Sequence, residues 1–224
     1  ARSALDSHCQ PQKRHGSPGK KEMWYVMDAD PGAELIIGFN RDVTREEYQQ
    51  ALAGGNLLSL LHYEGVRPAD TFFIQSGKIH AIGGGILLAE IQQSSDVTYR
   101  VYDFDRRDAA GNPRELHTDM ALDAMDYKRR DDFSISYSRE PNRENPMVES
   151  PYFTTSFLEL TKTTTLPPSG PDSFAAYVCV GGKAVLWCEG HSESLARGET
   201  LLIPAAAGPL RIDTTGCRLL QVTV

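Results

Sequence analysis

Residues 76–106 read SGKIHAIGGGILLAEIQQSSDVTYRVYDFDR, and their punctuation decides the fold. Glycines, serines and aspartates cut the stretch into short apolar runs, "KIHAIG", "GILLAEIQQ" (85–93) and "VTYRVYDF" (97–104). These have the length and composition of strands rather than helices. One imidazole, His80, lies among apolar residues. A carboxylate, Glu90, and a guanidinium, Arg100, follow at ten-residue steps. The residues alone leave two readings: hairpins whose polar side chains face water or pair across strands, or one wall of a site.

Strand signals continue on both sides. "EMWYVMDA" (22–29) and "AELIIGFN" (33–40) flank Asp30–Pro31–Gly32, a turn sequence. "YFTTSFLEL" (152–160), "FAAYVCV" (174–180), "KAVLWCE" (183–189), "ETLLIPA" (199–205) and "CRLLQVTV" (217–224) follow later, and Gly181–Gly182 reads as a two-residue hairpin. The exception lies at 44–63. Thr44 with Glu47 three residues on is a capping box, Gly54–Gly55 stops that helix, and "NLLSLLHY" (56–63) reads as a second short one. A further helix is expected over 114–126, with Leu116, Met120 and Ala124 as its apolar stripe. The charged, proline-containing stretch 128–150 reads as a connection. The expectation is an all-β chain of two barrel units, 1–127 and 151–224, with a helical insertion in the first.

Composition narrows the function. A net charge of −7 and a pI of about 5.4 disfavour nucleic acid and anionic membranes as partners. No apolar run reaches the length of a bilayer span, and the first residues lack a secretion signal. Cys9, Cys179, Cys188 and Cys217 form no C-x-x-C pair. They read as reduced thiols in a cytoplasmic protein.

"RPADTFFIQSGKIHAI" (67–82) and "ARGETLLIPAAAGPLRI" (196–212) share a strand–turn–strand phrase, a weak internal repeat. The phrase resembles that of the cupin superfamily, whose closing histidine points into a jelly-roll barrel and binds metal. The first copy keeps it as His80; the second has no histidine. "EMWYV", the 76–106 stretch and "RELH" together resemble the type I mannose-6-phosphate isomerases. That resemblance implies paired cupin barrels, one divalent metal, usually zinc, and a small sugar-phosphate substrate. Position by position it makes Glu22 and His80 metal ligands, Arg100 the active-site arginine, Glu90 a carboxylate of the same pocket, and Lys20 a substrate-side residue. These types suit an isomerisation that moves a proton between adjacent carbons: a metal to polarise the carbonyl, a carboxylate to carry the proton, a cation to hold phosphate or enediolate.

Read singly, each has a plainer role. Glu22 is a solvated carboxylate and His80 a core histidine; Glu90 and Arg100 form a cross-strand pair. His117 caps or packs a helix, His15 sits in a loop and His191 in a hairpin turn, and Arg106, Arg107 and Arg114 form a solvated charge run, with phosphate binding by one of them as the alternative. The chain also departs from the resemblance. The remaining ligands of the relatives, a glutamine and a histidine on a preceding strand, would fall near Ser3 and Leu5. His8 and Gln10 stand nearby in inverted order and out of register. The resemblance therefore implies a first barrel lacking its opening strands, a metal short of ligands and little turnover. The alternative function is a non-catalytic cupin-like binding module. Oligomeric state is not legible.

Overall fold

The computed structural model describes residues 5–8 as backbone, and residues 19–95, 98–104, 106–168 and 172–224 in full. Sixteen strands and two α-helices are present among them, so the all-β expectation holds. The chain divides into two compact units, 1–134 and 135–224.

The first unit holds β1 (Leu5–His8), β2 (Glu22–Ala29), β3 (Glu34–Phe39), β4 (Leu61–Gly65), β5 (Thr71–Ile74), β6 (Ile79–Ile82), β7 (Ile86–Gln92) and β8 (Thr98–Tyr102). They form two sheets, in the orders β4-β3-β6-β1-β8 and β5-β2-β7. The Asp30–Gly32 turn forms, with Ala33 N–H donating to the Asp30 carbonyl at 3.0 Å. The two strands it joins lie in different sheets. The turn thus folds one layer over the other instead of making a hairpin.

Between the layers lie Trp24, Val26, Leu35, Ile37, Phe72 and Ile74, buried together. A second cluster covers the opposite face of the five-stranded sheet, joining Ile36, Phe39, Ile79, Ala81, Tyr99 and Val101 to the helices. The two clusters fix the inward face by alternation. Ile79 and Ala81 point to the helices, so His80 points between the sheets. By the same argument Arg100, between Tyr99 and Val101, shares that face.

Helix α1 (Arg45–Ala53) carries the expected capping box. Thr44 Oγ1 accepts from Glu47 N–H, and the Glu47 carboxylate accepts from Thr44 N–H. The second helical piece is shorter than its sequence implied: a single 3₁₀ turn, Leu57–Leu60, leads straight into β4. Helix α2 (Thr118–Ala124) buries Ala121, Leu122 and Ala124, with Met125 behind them, whereas Leu116 and Met120 are exposed. Of the expected stripe Ala124 is buried and Leu116 and Met120 are not, because Leu116 precedes the helix and His117 sets its start.

The second unit holds β9 (Glu144–Glu149), β10 (Thr154–Leu160), β11 (Thr164–Leu166), β12 (Ala175–Cys188), β13 (His191–Ala196), β14 (Thr200–Ile203), β15 (Leu210–Asp213) and β16 (Cys217–Thr223). Strand β9 lies in the stretch read as a connection. The expected hairpin at Gly181–Gly182 is absent, and β12 runs straight through it. The glycines instead let the strand change partners. Its first half pairs with β14, its second with β13 and β15, and β16 pairs across the bend with a register shift at Cys179–Gly181. A Cβ on Gly182 would lie 2.2 Å from the Gly216 carbonyl oxygen, at a φ of +70°. A glycine bulge, not a turn, is what this dipeptide encodes here.

The repeated phrase is real in structure. β5–β6 and β14–β15 are both strand–turn–strand pieces, each turn closed by one backbone bond, Lys78 N–H to Gln75 O and Ala207 N–H to Pro204 O. No described helix is long and apolar enough to cross a membrane.

Candidate active site

Alternation along β2 puts Glu22 and Trp24 on the inward face, and the pairing with β7 sets Trp24 directly opposite Glu90. His80 reaches the same space from the facing sheet. Glu22 Oε2 lies 3.8 Å from His80 Nε2, and the Trp24 indole N–H donates to the same Oε2 at 2.9 Å. Lys20 Nζ is 2.7 Å from Glu22 Oε1 and 3.5 Å from Glu90 Oε1. Four of the five residues singled out in the sequence therefore meet in one cluster.

The cluster is braced. His80 Nδ1 is 2.7 Å from the Lys78 carbonyl. A carbonyl only accepts, so Nδ1 carries a proton, and Nε2 is the ring nitrogen left facing Glu22. The Trp24 ring stands edge-on to the imidazole, with centroids 5.3 Å apart. Ser76 Oγ donates to the Lys20 carbonyl at 3.1 Å. Lys20, Glu22 and His80 are all buried. Trp24 and Ser76 were not singled out in the sequence. The one available signal was Trp24 at i+2 from Glu22, which puts it on the same strand face.

Arg100 stands apart. The register pairs Asp6 of β1 with His80 on one side and with Arg100 on the other. Arg100 is thus level with His80 but two strands away, about 10 Å by sheet spacing. Its Nη1 donates to the Glu115 carbonyl at 3.3 Å. His8 lies on β1 with its side chain outside the described residues; Cys9, Gln10 and His15 lie outside the described residues altogether. His191 begins β13, and Arg107 and Arg114 are exposed surface cations. Arg106 ion-pairs with buried Asp103. A cavity of about 160 Å³ lined by Gly32, Tyr63, Ile82 and Phe104 includes no member of the cluster.

The donor atoms fit a divalent metal in part. Two zinc ligands at about 2 Å each stand at most about 4 Å apart, which the Glu22–His80 separation satisfies. The Lys78 carbonyl orients the imidazole as outer partners of metal-bound histidines do. No group of three or more His, Cys, Asp or Glu suited to a metal is present among the described residues.

Burial, and then the charge of Glu22, raises the Glu90 carboxyl above the usual carboxylate range; Lys20 and His80 offset part of this. A carboxyl with a higher pKa folded than unfolded binds its proton more tightly in the fold. The stability it contributes is full below the ordinary value and is lost as pH rises toward the raised one. Its side chain is 32% exposed, so solvent screens the effect. In metal-free protein, Glu90→Gln should gain in Tm relative to the wild type between about pH 4 and pH 7. A Tm gap that is constant or shrinks over that range would show that the carboxyl is not strained.

The chain is similar to known proteins along most of its length. Residues 143–224 match the family "Mannose-6-phosphate isomerase, cupin domain". The chain is 34% identical over 193 residues to a mannose-6-phosphate isomerase of Streptococcus mutans, covering 86% of this chain and 60% of that protein. It is 30% identical over 217 residues to YvyI, a mannose-6-phosphate isomerase homologue of Bacillus subtilis, covering 96% and 67%. The crystal structure of the mannose 6-phosphate isomerase of Bacillus subtilis has the same cupin-like fold. Its TM-score is 0.86 at 28% identity, covering 100% of this chain and 72% of that one. The chain therefore spans about 60% of the length of the first of these relatives.

Proposed function

Because the chain belongs to the mannose-6-phosphate isomerase family, we propose that its first unit carries the site of a metal-dependent aldose–ketose isomerase. The reaction is the interconversion of mannose 6-phosphate and fructose 6-phosphate. The observation that carries the reading is the convergence of Glu22 Oε2 and His80 Nε2, each residue held by its own buried partners.

Glu22 and His80 would hold the metal, zinc by the family's habit. When bound it supplies Lewis-acid polarisation of the sugar carbonyl and offsets negative charge developing there. The chain's own residues do the rest. Glu90 is the one carboxylate of the cluster open to solvent, and its raised pKa brings it closer to neutrality. Those are the properties of a group that takes and returns a proton between adjacent carbons. Lys20 ties Glu90 to Glu22 and keeps both carboxylates from separating while the proton moves. Arg100 would use its guanidinium to meet phosphate or the charge of the enediolate. Such an enzyme works in the cytoplasm, where the free thiols of Cys179, Cys188 and Cys217 stay reduced.

Metal content and turnover, measured on one preparation, test the proposal. Bound zinc and fructose 6-phosphate formation, both lost in His80→Asn, are the expected results. Turnover that survives His80→Asn would sink it. A second reading draws on the absence of a third donor among the described residues: a binding module for sugar phosphates without catalysis. Metal-free protein that binds mannose 6-phosphate and never converts it would establish that reading instead.

A further inference from the structure

We propose that His117 is the positioning residue of Arg100, its imidazole standing in for a strand carbonyl at the edge of the sheet. The inference rests on the reading that Arg100 faces the substrate. Among the described strands β8 is the outer one of its sheet, paired with β1. At the other side both backbone groups of Arg100 are taken by one residue. Arg100 N–H donates to His117 Nδ1 at 3.2 Å, and His117 N–H donates to the Arg100 carbonyl at 2.7 Å. The guanidinium adds its bond to the carbonyl of Glu115. Residues 115–117 thus take the place of a neighbouring strand at the position of β8 that carries the arginine.

The chemistry of the ring is specific. His117 occupies the cap position before α2, where Ser, Thr, Asp or Asn would normally bond the first helical N–H groups. It makes no such bond. Its Nδ1 is spent on Arg100, so the ring proton lies on Nε2. Edge strands fray first, because one side of their backbone has no partner. Pinning N–H and carbonyl together holds the arginine Cα at the level of His80. A shift of about 1 Å at such a group costs about 100-fold in rate. Helix packing alone would need the ring's bulk and not its Nδ1.

Two isosteres separate these roles. Asn carries an acceptor where Nδ1 sits; Gln carries one where Nε2 sits. The full zinc-supplemented chain is compared as wild type, His117→Asn, His117→Gln and Arg100→Ala. Two readouts are taken: amide exchange at Arg100 by NMR, and kcat and KM for mannose 6-phosphate. The Gln variant should speed Arg100 exchange about 5-fold, as for a lost hydrogen bond, and lower kcat about 10-fold or more with KM little changed. The Asn variant should restore both to within about 3-fold. Equal behaviour of the Asn and Gln variants, or unchanged exchange in the Gln variant, overturns the proposal. So does faster exchange with kcat unmoved. The exchange readout needs no turnover, so a chain that converts no sugar is still decided by it. Full turnover in Arg100→Ala would instead overturn the reading of Arg100, and the exchange result would separate that failure from this one.

Discussion

Glu22→Gln is expected to weaken zinc binding by more than about 100-fold, the upper end of what is lost when only an outer partner of a ligand is removed. The substitution keeps the side chain's shape. Its amide oxygen can still accept from the Trp24 indole, so the β2 face stays packed. What disappears is the negative charge that faces His80 Nε2 at 3.8 Å and Lys20 Nζ at 2.7 Å. Metal affinity depends on charged, deprotonated donors, and one of the two found here would be gone. Lys20 would then be left to Glu90 alone, at 3.5 Å. Competition against a chromogenic chelator at neutral pH reads the affinity, and circular dichroism checks that the fold survives. Wild-type affinity in both Glu22→Gln and His80→Asn would place the metal elsewhere.

Gly182→Ala is expected to destabilise the second unit by about 3 kcal/mol. Forcing extra volume into a packed site costs typically about 1–3 kcal/mol, and a non-glycine residue held at positive φ adds about 1 kcal/mol more. The new methyl would meet the Gly216 carbonyl oxygen at 2.2 Å and the Cys217 Cα at 3.0 Å, both backbone atoms that cannot swing aside. Gly198→Ala provides the control. It too sits at positive φ, +91°, but its Cβ would meet nothing within 4 Å. It should show the conformational cost alone, about 1 kcal/mol. Urea unfolding followed by fluorescence in a Trp24→Phe background, where Trp187 is the remaining tryptophan, measures both. Equal losses in the two variants would mean that the close approach at Gly182 carries no energy.

Legibility followed locality. The Thr44–Glu47 box and the Asp30–Gly32 turn are made by residues adjacent in sequence, and both could be read directly. Gly181–Gly182 misled because a glycine pair serves a hairpin or a bulge equally well, and the choice depends on β16, whose residues lie far along the chain. The α2 stripe misled because the helix takes its rotation from the bonds between His117 and Arg100, which no helical period contains. β1, "LDSH", alternates too weakly to be predicted at all; its place between β6 and β8 is set by partners. The cluster divides in the same way. Glu22 and Lys20 would pass for surface charges without the family resemblance, because their burial comes from strands β5, β6 and β7 packed around them.

The long strand β12 also fixes how the second unit can assemble. Its far end pairs with its neighbour in sequence, Cys188 with His191, while its near end pairs with the last strand, Ala175 with Thr223. The first contact closes a loop of a few residues; the second waits for most of the unit to be in place, at a higher entropic cost. Nucleation therefore favours the β12–β13 hairpin, and the β16 pairing comes late, giving the unit a high contact order and slow folding. Until that last step the 175–182 half of β12 has one edge uncovered. An exposed strand edge during folding is where chains associate with one another. The bend at Gly182 is thus also the boundary between the early and late halves of the folding reaction.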